Sequence, residues 1–194
     1  MQLFAKKKHL NTREKQAQDV FGPESLRKCS EGDSKAQKAL YDALSAKMFA
    51  VCLRYMGNRN EAEDIFQEGF VSLFTKLDSY SGDGSFEGWA RKIFVNTALM
   101  SLRKKDVLRQ SEDVEAARSM VSDAATPVQK MSYNELNRMI AELPPGFRTV
   151  FNMDVVEGYS HKEIAEALGI SETTSRSQLQ RARTMLQNKI KEKY

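Results

Sequence analysis

Long apolar runs, cysteine and histidine are all scarce in this chain. No apolar run approaches the roughly 18 residues that a membrane span needs, and the charged start MQLFAKKKHLNTREK has no apolar stretch behind it. Cys29 and Cys52 are far apart and form no CxxC pair, and His9 and His161 are the only histidines. We therefore expect no disulfide framework, no metal site and no membrane insertion, and a cytoplasmic location fits.

The sequence also lacks the patterns that mark an enzyme. It contains no glycine-rich phosphate loop, no paired metal ligands and no recognisable nucleophile constellation. We therefore expect a protein that is not an enzyme and uses no cofactor.

Strand-forming patterns are scarce, and proline occurs at four positions in 194 residues. These features predict an all-α protein, built as two small helical domains on a flexible linker. The net charge is only +4, but the basic residues cluster. The ranges 91–109 and 176–194 each hold six basic residues against one acidic residue, and such clusters favour phosphate binding.

Residues 1–30 are polar and basic and show no sustained period, which predicts a flexible N-terminal arm or a loosely attached helix. A first domain is predicted over 31–105. Its first helix begins at Ser34 and ends near Gly57, and its apolar residues recur at helical spacing. These residues are Ala36, Leu40, Leu44, Met48, Val51, Cys52 and Tyr55.

Two further helices are predicted between Glu61 and Arg103, joined by the loop SYSGDGSFEG. In the first of them Glu61, Asp64 and Glu68 share a side, which suits docking to a partner or simple solvation. An apolar row occupies another side: Ile65, Phe66, Gly69, Phe70, Leu73, Phe74 and Leu77.

The second of these helices places Trp89, Lys92, Asn96 and Arg103 on one side. Ala90, Phe94, Ala98 and Leu102 lie across from them and should face inward. A ring, an amide and two cations suit unstacked nucleic-acid bases and their phosphates. A buried tryptophan flanked by surface charges explains the same residues equally well.

Residues 106–130 read as a linker, and a second helical domain is predicted over 131–194. Ser160 and Glu163 form a capping box that opens a helix, Gly169 permits a turn, and Ser171 caps the next helix. This pattern predicts a helix-turn-helix whose second helix has the inner row Ser175, Leu179, Ala182 and Leu186. A helical hairpin without a DNA role is the alternative.

In a helix-turn-helix the second helix enters the major groove of DNA. Its outward residues here include Arg176, Ser177 and Gln180, which we expect at base edges. Thr173, Arg181 and Arg183 are expected to hold phosphates. His161 is expected at the surface.

Four segments together resemble bacterial RNA polymerase sigma factors of the extracytoplasmic-function (ECF) group of the sigma-70 family. They are DIFQEGF, FEGWARKIFVNTA, LPPGFRTVF and YSHKEIAEALGISETTSRSQLQRAR, covering the two predicted domains in the family's order. The resemblance implies a dissociable subunit that binds core RNA polymerase, recognises the −35 and −10 promoter elements and stabilises promoter melting. A stand-alone helix-turn-helix regulator is the alternative.

The resemblance also implies roles for particular residues. Docking to the clamp helices of the beta-prime subunit maps onto Asp64, Gln67, Glu68 and Phe70. Capture of the melted −10 element maps onto Gly82, Asp83, Ser85, Phe86, Trp89, Lys92 and Asn96. Reading of the −35 duplex maps onto Thr173, Arg176, Ser177 and Gln180, in a domain that also meets the beta-subunit flap.

The family commonly uses an anti-sigma protein that wedges between the two domains, so such a protein is a candidate partner. The chain departs from the family pattern at three places besides its arm. Gly69 replaces the usual alanine, which should loosen the docking helix slightly. Ser175 and Gln178 stand where an apolar residue and a basic residue are usual.

Overall fold

The computed structural model describes residues 20–104 and 133–193. The predicted linker over 106–130 and most of the predicted arm lie outside these residues. Every regular element in the two ranges is helical, which confirms the all-α prediction. The α-helices are α1 (Pro23–Ser30), α2 (Ser34–Met56), α3 (Arg59–Thr75), α4 (Phe86–Lys104), α5 (Tyr133–Ala141), α6 (Pro145–Phe151), α7 (His161–Leu168) and α8 (Glu172–Lys193). None of the helices described is long and apolar enough to cross a membrane.

Helices α1–α4 form an N-terminal bundle whose helix ends follow local sequence signals. The Asp33 side chain caps α2 by accepting a hydrogen bond of 2.8 Å from the Ala36 amide. Gly57 ends α2 in the left-handed conformation, with φ of 76°, where a residue with a side chain would be strained. The Asn58 side chain then caps α3 by accepting from the Glu61 amide at 2.9 Å.

The core of the N-terminal bundle is built on the predicted apolar rows of α2, α3 and α4. All four predicted inner residues of α4 are buried. The Phe94 ring packs edge-on against Phe70 with centroids 5.2 Å apart and lies 6.2 Å from Phe66. This aromatic cluster joins α3 to α4, so it fixes the position of one helix relative to the other.

The last residues of the predicted N-terminal arm, Pro23–Ser30, form the helix α1. Leu26 and Cys29 are buried against the bundle, and the Gln37 amide group donates to the Cys29 carbonyl at 3.1 Å. Phe21 stacks on Phe86 at 5.4 Å. Short segments of this kind lack a visible helical period, so their fold depends on the core that they cover.

Helices α5–α8 form a C-terminal bundle. Met139, Ile140, Leu143 and Phe147 pack against the inner side of α8. Along α6 and the turn after it, Val150 is buried whereas Val155 is exposed. A π-helical turn over Asn152–Val156 follows α6, and this wider turn brings Met153 to the buried side instead.

The two bundles pack on each other. Val150, Met153 and Ile164 of the C-terminal bundle belong to the same buried cluster as Leu40, Phe70 and the other core residues of the N-terminal bundle. The C-terminal end of α2 contacts α5 and α6, and α4 contacts α7. The sequence indicated two units on a linker but gave no sign that they would dock on each other.

Candidate nucleic-acid interface

The acidic side of α3 is exposed as the sequence predicted. Asp64, Gln67 and Glu68 face solvent, and together we call them the docking stripe. Phe70, the fourth residue assigned to polymerase docking, is only 5% exposed. It lies in the aromatic core between Phe66 and Phe94. The structure therefore corrects its role from surface contact to support of the helix that carries the stripe.

An apolar residue missed by the sequence prediction continues the docking stripe. Val71 lies one turn beyond Gln67 and Glu68 and is 68% exposed. A single exposed aliphatic side chain is common on protein surfaces, so what distinguishes Val71 is that it shares the side of α3 that carries the stripe. The signal was available in the sequence, because Val71 falls outside the apolar row that runs through Phe70 and Phe74.

The loop before α4 is a tight, exposed turn. Gly82 and Gly84 adopt left-handed conformations with φ of 86° and 78°, and the Tyr80 hydroxyl donates to the Gly84 carbonyl at 2.9 Å. Gly82, Asp83 and Ser85 are exposed, as a nucleic-acid contact requires. Phe86 is not, since it is 4% exposed beneath the loop. Its predicted base contact is therefore corrected to packing.

Beyond the loop, the outward side of α4 holds Trp89, Lys92 and Asn96, which we call the −10 face. Lys92 and Asn96 are exposed, and Trp89 is half-buried. The Trp89 ring lies 5.3 Å from the Tyr80 ring and 5.4 Å from Phe86. The Trp89 ring is therefore supported from below and still reaches the surface.

The −10 face extends to a residue that the sequence prediction left out. Met100 lies one turn beyond Asn96 and is 68% exposed. A flexible, polarizable side chain can pack on an unstacked base. Arg103 is also exposed in the last turn of α4, so the helix presents an aromatic ring, an amide and cations in sequence along one side.

The predicted helix-turn-helix is formed by α7 and α8. The Ser160 hydroxyl accepts from the Glu163 amide at 3.3 Å and the Ser160 amide donates to the Glu163 carboxylate at 2.8 Å, which completes the capping box. The Ser160 hydroxyl also donates to that carboxylate, at 2.7 Å. The two hydrogen bonds to this carboxylate, with a smaller contribution from Lys92, hold the pKa of Glu163 below its usual range. Gly169 makes the turn with φ of 68°, and the Ser171 hydroxyl accepts from the Thr174 amide at 3.0 Å.

The predicted inner row of α8 is buried, and its six predicted DNA-contacting residues are exposed: Thr173, Arg176, Ser177, Gln180, Arg181 and Arg183. The three arginines among them already have partners within the chain. Arg176 pairs with Glu172 at 2.7 Å, and Arg183 lies 3.6 Å from Asp154. The Arg181 guanidinium lies over the Phe147 ring at 5.9 Å.

His161 and Ser175 form a contact that the sequence did not reveal. The His161 Nδ1 and the Ser175 hydroxyl are 2.9 Å apart, and Ser175 is fully buried. His161 is half-buried rather than a plain surface residue, and its Nε2 lies 4.0 Å from Asp154. A polar contact therefore holds α8 against α7 at the position where the family usually has an apolar residue.

Comparisons with known proteins agree with this architecture. Residues 40–107 match the family described as Sigma-70 region 2, and residues 133–186 match Sigma-70, region 4. The ECF RNA polymerase sigma-E factor of Haemophilus influenzae is 30% identical over 176 residues, which cover 85% of this chain and 93% of that protein. The ECF RNA polymerase sigma factor SigW of Bacillus subtilis is 27% identical over 178 residues, covering 86% and 95% respectively.

Among solved structures, the sigma factor RpoE in complex with the anti-sigma factor NepR from Bartonella quintana aligns with a TM-score of 0.47 and 22% identity. The alignment covers 78% of this chain and 94% of that one.

Two helical bundles that match sigma-70 regions 2 and 4, in that order, define a protein of the sigma-70 family. Within it, the chain belongs to the ECF RNA polymerase sigma factors. It is a transcription initiation factor that binds RNA polymerase and directs initiation at specific promoters.

Proposed function

We propose that this sigma factor binds core polymerase through the docking stripe of α3, binds the melted −10 element on α4 and recognises the −35 duplex with α8. The observation that carries the proposal is the side of α4 that faces away from the core. Lys92 and Asn96 are exposed one turn apart, beside the supported Trp89 ring and the exposed glycine turn. This arrangement offers stacking, base hydrogen bonding and phosphate attraction on one continuous surface.

Val71 supports the assignment of α3 to polymerase docking. An apolar side chain beside Asp64, Gln67 and Glu68 supplies the desolvated centre that a polar stripe alone lacks. We expect Val71→Asp to weaken co-purification with core polymerase at least tenfold. Val155→Asp is a matched control, because Val155 is also an exposed valine but lies on the π-helical turn of the other bundle. An equal loss in both variants would contradict the docking assignment.

The function is tested by transcription with purified core polymerase on fragmented genomic DNA, followed by mapping of transcript starts. The proposal requires new starts that share −35 and −10 sequences and depend on the added protein. Tight binding to duplex DNA without new transcript starts would contradict the proposed division of labour among α3, α4 and α8.

The −10 face is tested by separating promoter opening from duplex binding. Lys92→Ala and Asn96→Ala should reduce opening, followed by 2-aminopurine fluorescence, about tenfold each. Binding to a −35 duplex should stay within twofold of the unchanged protein. Lys76→Ala is the matched control, since Lys76 is an exposed lysine that follows α3. Equal losses in opening and in −35 binding would refute the assignment.

The −35 role of α8 rests on its exposed N-terminal half. Arg176 is exposed and its pairing with Glu172 is a surface contact, which a guanine can replace. Replacing Arg176 with alanine should relax base preference at one −35 position by about 1–3 kcal/mol. A uniform loss across all promoter sequences would indicate phosphate binding instead.

A further inference from the structure

A short N-terminal segment lies against the base of the −10 face. Helix α1 precedes the part of the chain that matches Sigma-70 region 2, which begins at residue 40. Its Leu26 and Cys29 are buried against the bundle, and the Gln37 amide group donates to the Cys29 carbonyl at 3.1 Å. These contacts fix α1 on the N-terminal bundle, with Phe21 just ahead of its first turn.

The start of α1 is defined by local signals. Gly22 has extended backbone, with φ of −70° and ψ of 153°, and Pro23 takes the first helical position. Proline is favoured there because its fixed φ suits a helix and it has no amide hydrogen that needs a partner. The Leu26 amide closes the turn by donating to the Gly22 carbonyl at 3.0 Å. The first turn of α1 is therefore fixed by its own sequence, directly after Phe21.

Phe21 belongs to a group of four aromatic rings beneath the −10 face. Its ring stacks on Phe86, with centroids 5.4 Å apart and an interplanar angle of 27°. Phe86 in turn lies 5.1 Å from Tyr80 and 5.4 Å from Trp89, and Tyr80 and Trp89 are 5.3 Å apart. We call these four rings the aromatic base. Three of them come from residues 80–89, and Phe21 joins them from the segment before α1.

The aromatic base holds both ends of the glycine turn. Gly82 and Gly84 adopt left-handed conformations in this exposed loop. Glycine loses more conformational freedom on ordering than other residues do, so a loop of this kind binds better when it is held in place beforehand. Tyr80 lies at the start of the loop and Phe86 at its end. The stacking of Phe21 on Phe86 therefore restrains the end that leads into α4.

Open space lies beside the aromatic base. A cleft of about 500 Å³ lies between α1 and the loop, with Leu26 and Arg27 on one side and Asp78 and Ser81 on the other. The loop is therefore not packed along the length of α1 and has room to shift. Stacked rings attract each other beyond the area that they bury, so the Phe21 ring opposes such a shift.

We propose that Phe21 is a positioning residue for promoter opening. Its ring holds Phe86, and through Phe86 it sets the place of Trp89 and of the glycine turn before melted DNA binds. Phe21 acts through these rings rather than through contact with DNA. The segment ahead of the matched region thus takes part in −10 recognition. The proposal rests on the assignment of the −10 face made above.

The first experiment measures the aromatic base directly, because Trp89 is the only tryptophan in the chain. Iodide quenching of its fluorescence is compared in the unchanged full-length chain and in three variants, Phe21→Ala, Phe21→Leu and Phe21→Tyr. We expect the alanine and leucine variants to raise the quenching constant at least about twofold, since the stacked ring is lost. The tyrosine variant keeps the ring and should match the unchanged chain. This measurement does not depend on the −10 assignment.

Phe49→Ala is the matched control for the loss of a phenylalanine ring. Phe49 is half-buried like Phe21, and its ring packs edge-on against Phe66 at 5.6 Å, outside the aromatic base. This variant should leave the quenching of Trp89 unchanged.

The second experiment measures function in the same proteins. Promoter opening with core polymerase is followed by 2-aminopurine fluorescence, and binding to a −35 duplex is followed by fluorescence anisotropy. Phe21→Ala and Phe21→Leu should reduce opening about fivefold to tenfold, the value of one aromatic contact. Phe21→Tyr should restore opening, Phe49→Ala should leave it unchanged, and −35 binding should be the same in all the proteins.

Several results would overturn the proposal. One is equal quenching of Trp89 in all the proteins, and another is an opening defect that Phe21→Tyr does not repair or that Phe49→Ala shares. If Phe21→Ala loses its helical circular dichroism, Phe21→Leu decides the outcome alone, because leucine keeps an apolar side chain at that position. Increased quenching with normal opening would overturn the role in opening. If Lys92→Ala then reduces opening in the same assay, the −10 assignment stands, and if it does not, that assignment is wrong as well.

Discussion

Replacing Gly69 with alanine sets helix propensity against packing, and the structure decides which effect prevails. Alanine favours a helix interior by about 1 kcal/mol over glycine, so the sequence alone predicts that the change stabilises α3. A Cβ at position 69 would lie 2.4 Å from both Cδ1 and Cε1 of Phe94. Carbon atoms normally approach to about 3.5–4.0 Å. The Phe94 ring would have to move by more than 1 Å.

The Phe94 ring has little room for that movement. It is fully buried and packed between Phe66 and Phe70. Overpacking a core in this way costs about 1–3 kcal/mol. After the gain in propensity is subtracted, we expect Gly69→Ala to destabilise the protein by about 1 kcal/mol. That loss corresponds to a melting temperature about 2–4 °C lower for a chain of this size.

Gly88 provides the matched control for the same substitution. It lies in the first turn of α4, and a Cβ there would meet only the Ser85 Cβ, at 3.8 Å. We expect Gly88→Ala to be neutral or stabilising by about 0.5 kcal/mol. Urea unfolding followed by circular dichroism gives both values from the transition midpoints at unchanged slope. Equal stabilisation by the two substitutions would refute the packing argument.

Three further predictions concern the capping box of α7, the two cysteine thiols and the contact between His161 and Ser175. Ser160→Ala should lower the free energy of unfolding by about 1 kcal/mol, measured by urea unfolding, because it removes the capping box of α7; no change would contradict the capping role. Burial raises the pKa of the Cys52 thiol from 9.0 to about 12 and also raises that of Cys29. Neither thiol should therefore react with Ellman's reagent at pH 8 in the folded protein, and fast labelling of the native protein would contradict this burial. The free energy of unfolding should be unchanged below pH 9 and should fall as the pH rises from 9 towards 12, because only the unfolded chain loses the thiol protons there. Ser175→Ala and His161→Ala should each cost about 1 kcal/mol and show a coupling energy of similar size in a double-mutant cycle, whereas additive losses would mean that their hydrogen bond contributes nothing.

The position of Gly69 also bears on function. Because this residue has no side chain, α4 approaches α3 closely through Phe94. The docking stripe lies on the outer side of α3, and the −10 face lies on the outer side of α4. The close contact therefore sets the geometry between the surface proposed for polymerase and the surface proposed for melted DNA. The sequence marked Gly69 only as a departure from the family's alanine.

Much of the fold could be predicted because its signals are local. The Asp33 and Asn58 caps, the glycine that ends α2 and the capping box of α7 all act within four residues. Helical periodicity likewise placed the inner rows of α4 and α8 correctly. Hydrogen bonds between near neighbours and a repeat of 3.6 residues are properties that a sequence displays directly.

The candidate sites were predicted less completely, because burial at the edge of a helix face depends on the neighbouring helix. Phe70 and Phe86 lie beside the residues proposed for binding, yet their rings fill the core. Val71 and Met100 are apolar, yet they are exposed since no helix covers them. Periodicity assigns a residue to a side of its helix, and only the tertiary structure decides what lies opposite that side.

The sequence by itself determined the helices, the helix-turn-helix and the family of this protein, because caps, periodicity and short motifs are encoded within each segment. Only the tertiary structure decided that the two bundles dock and that Arg148 joins them. The contacts of this arginine with Tyr55 and Met56 are made to backbone carbonyls more than ninety positions away along the chain. Every residue carries the same backbone carbonyl acceptor. The order of side chains therefore gives no indication of which carbonyls a distant arginine will contact.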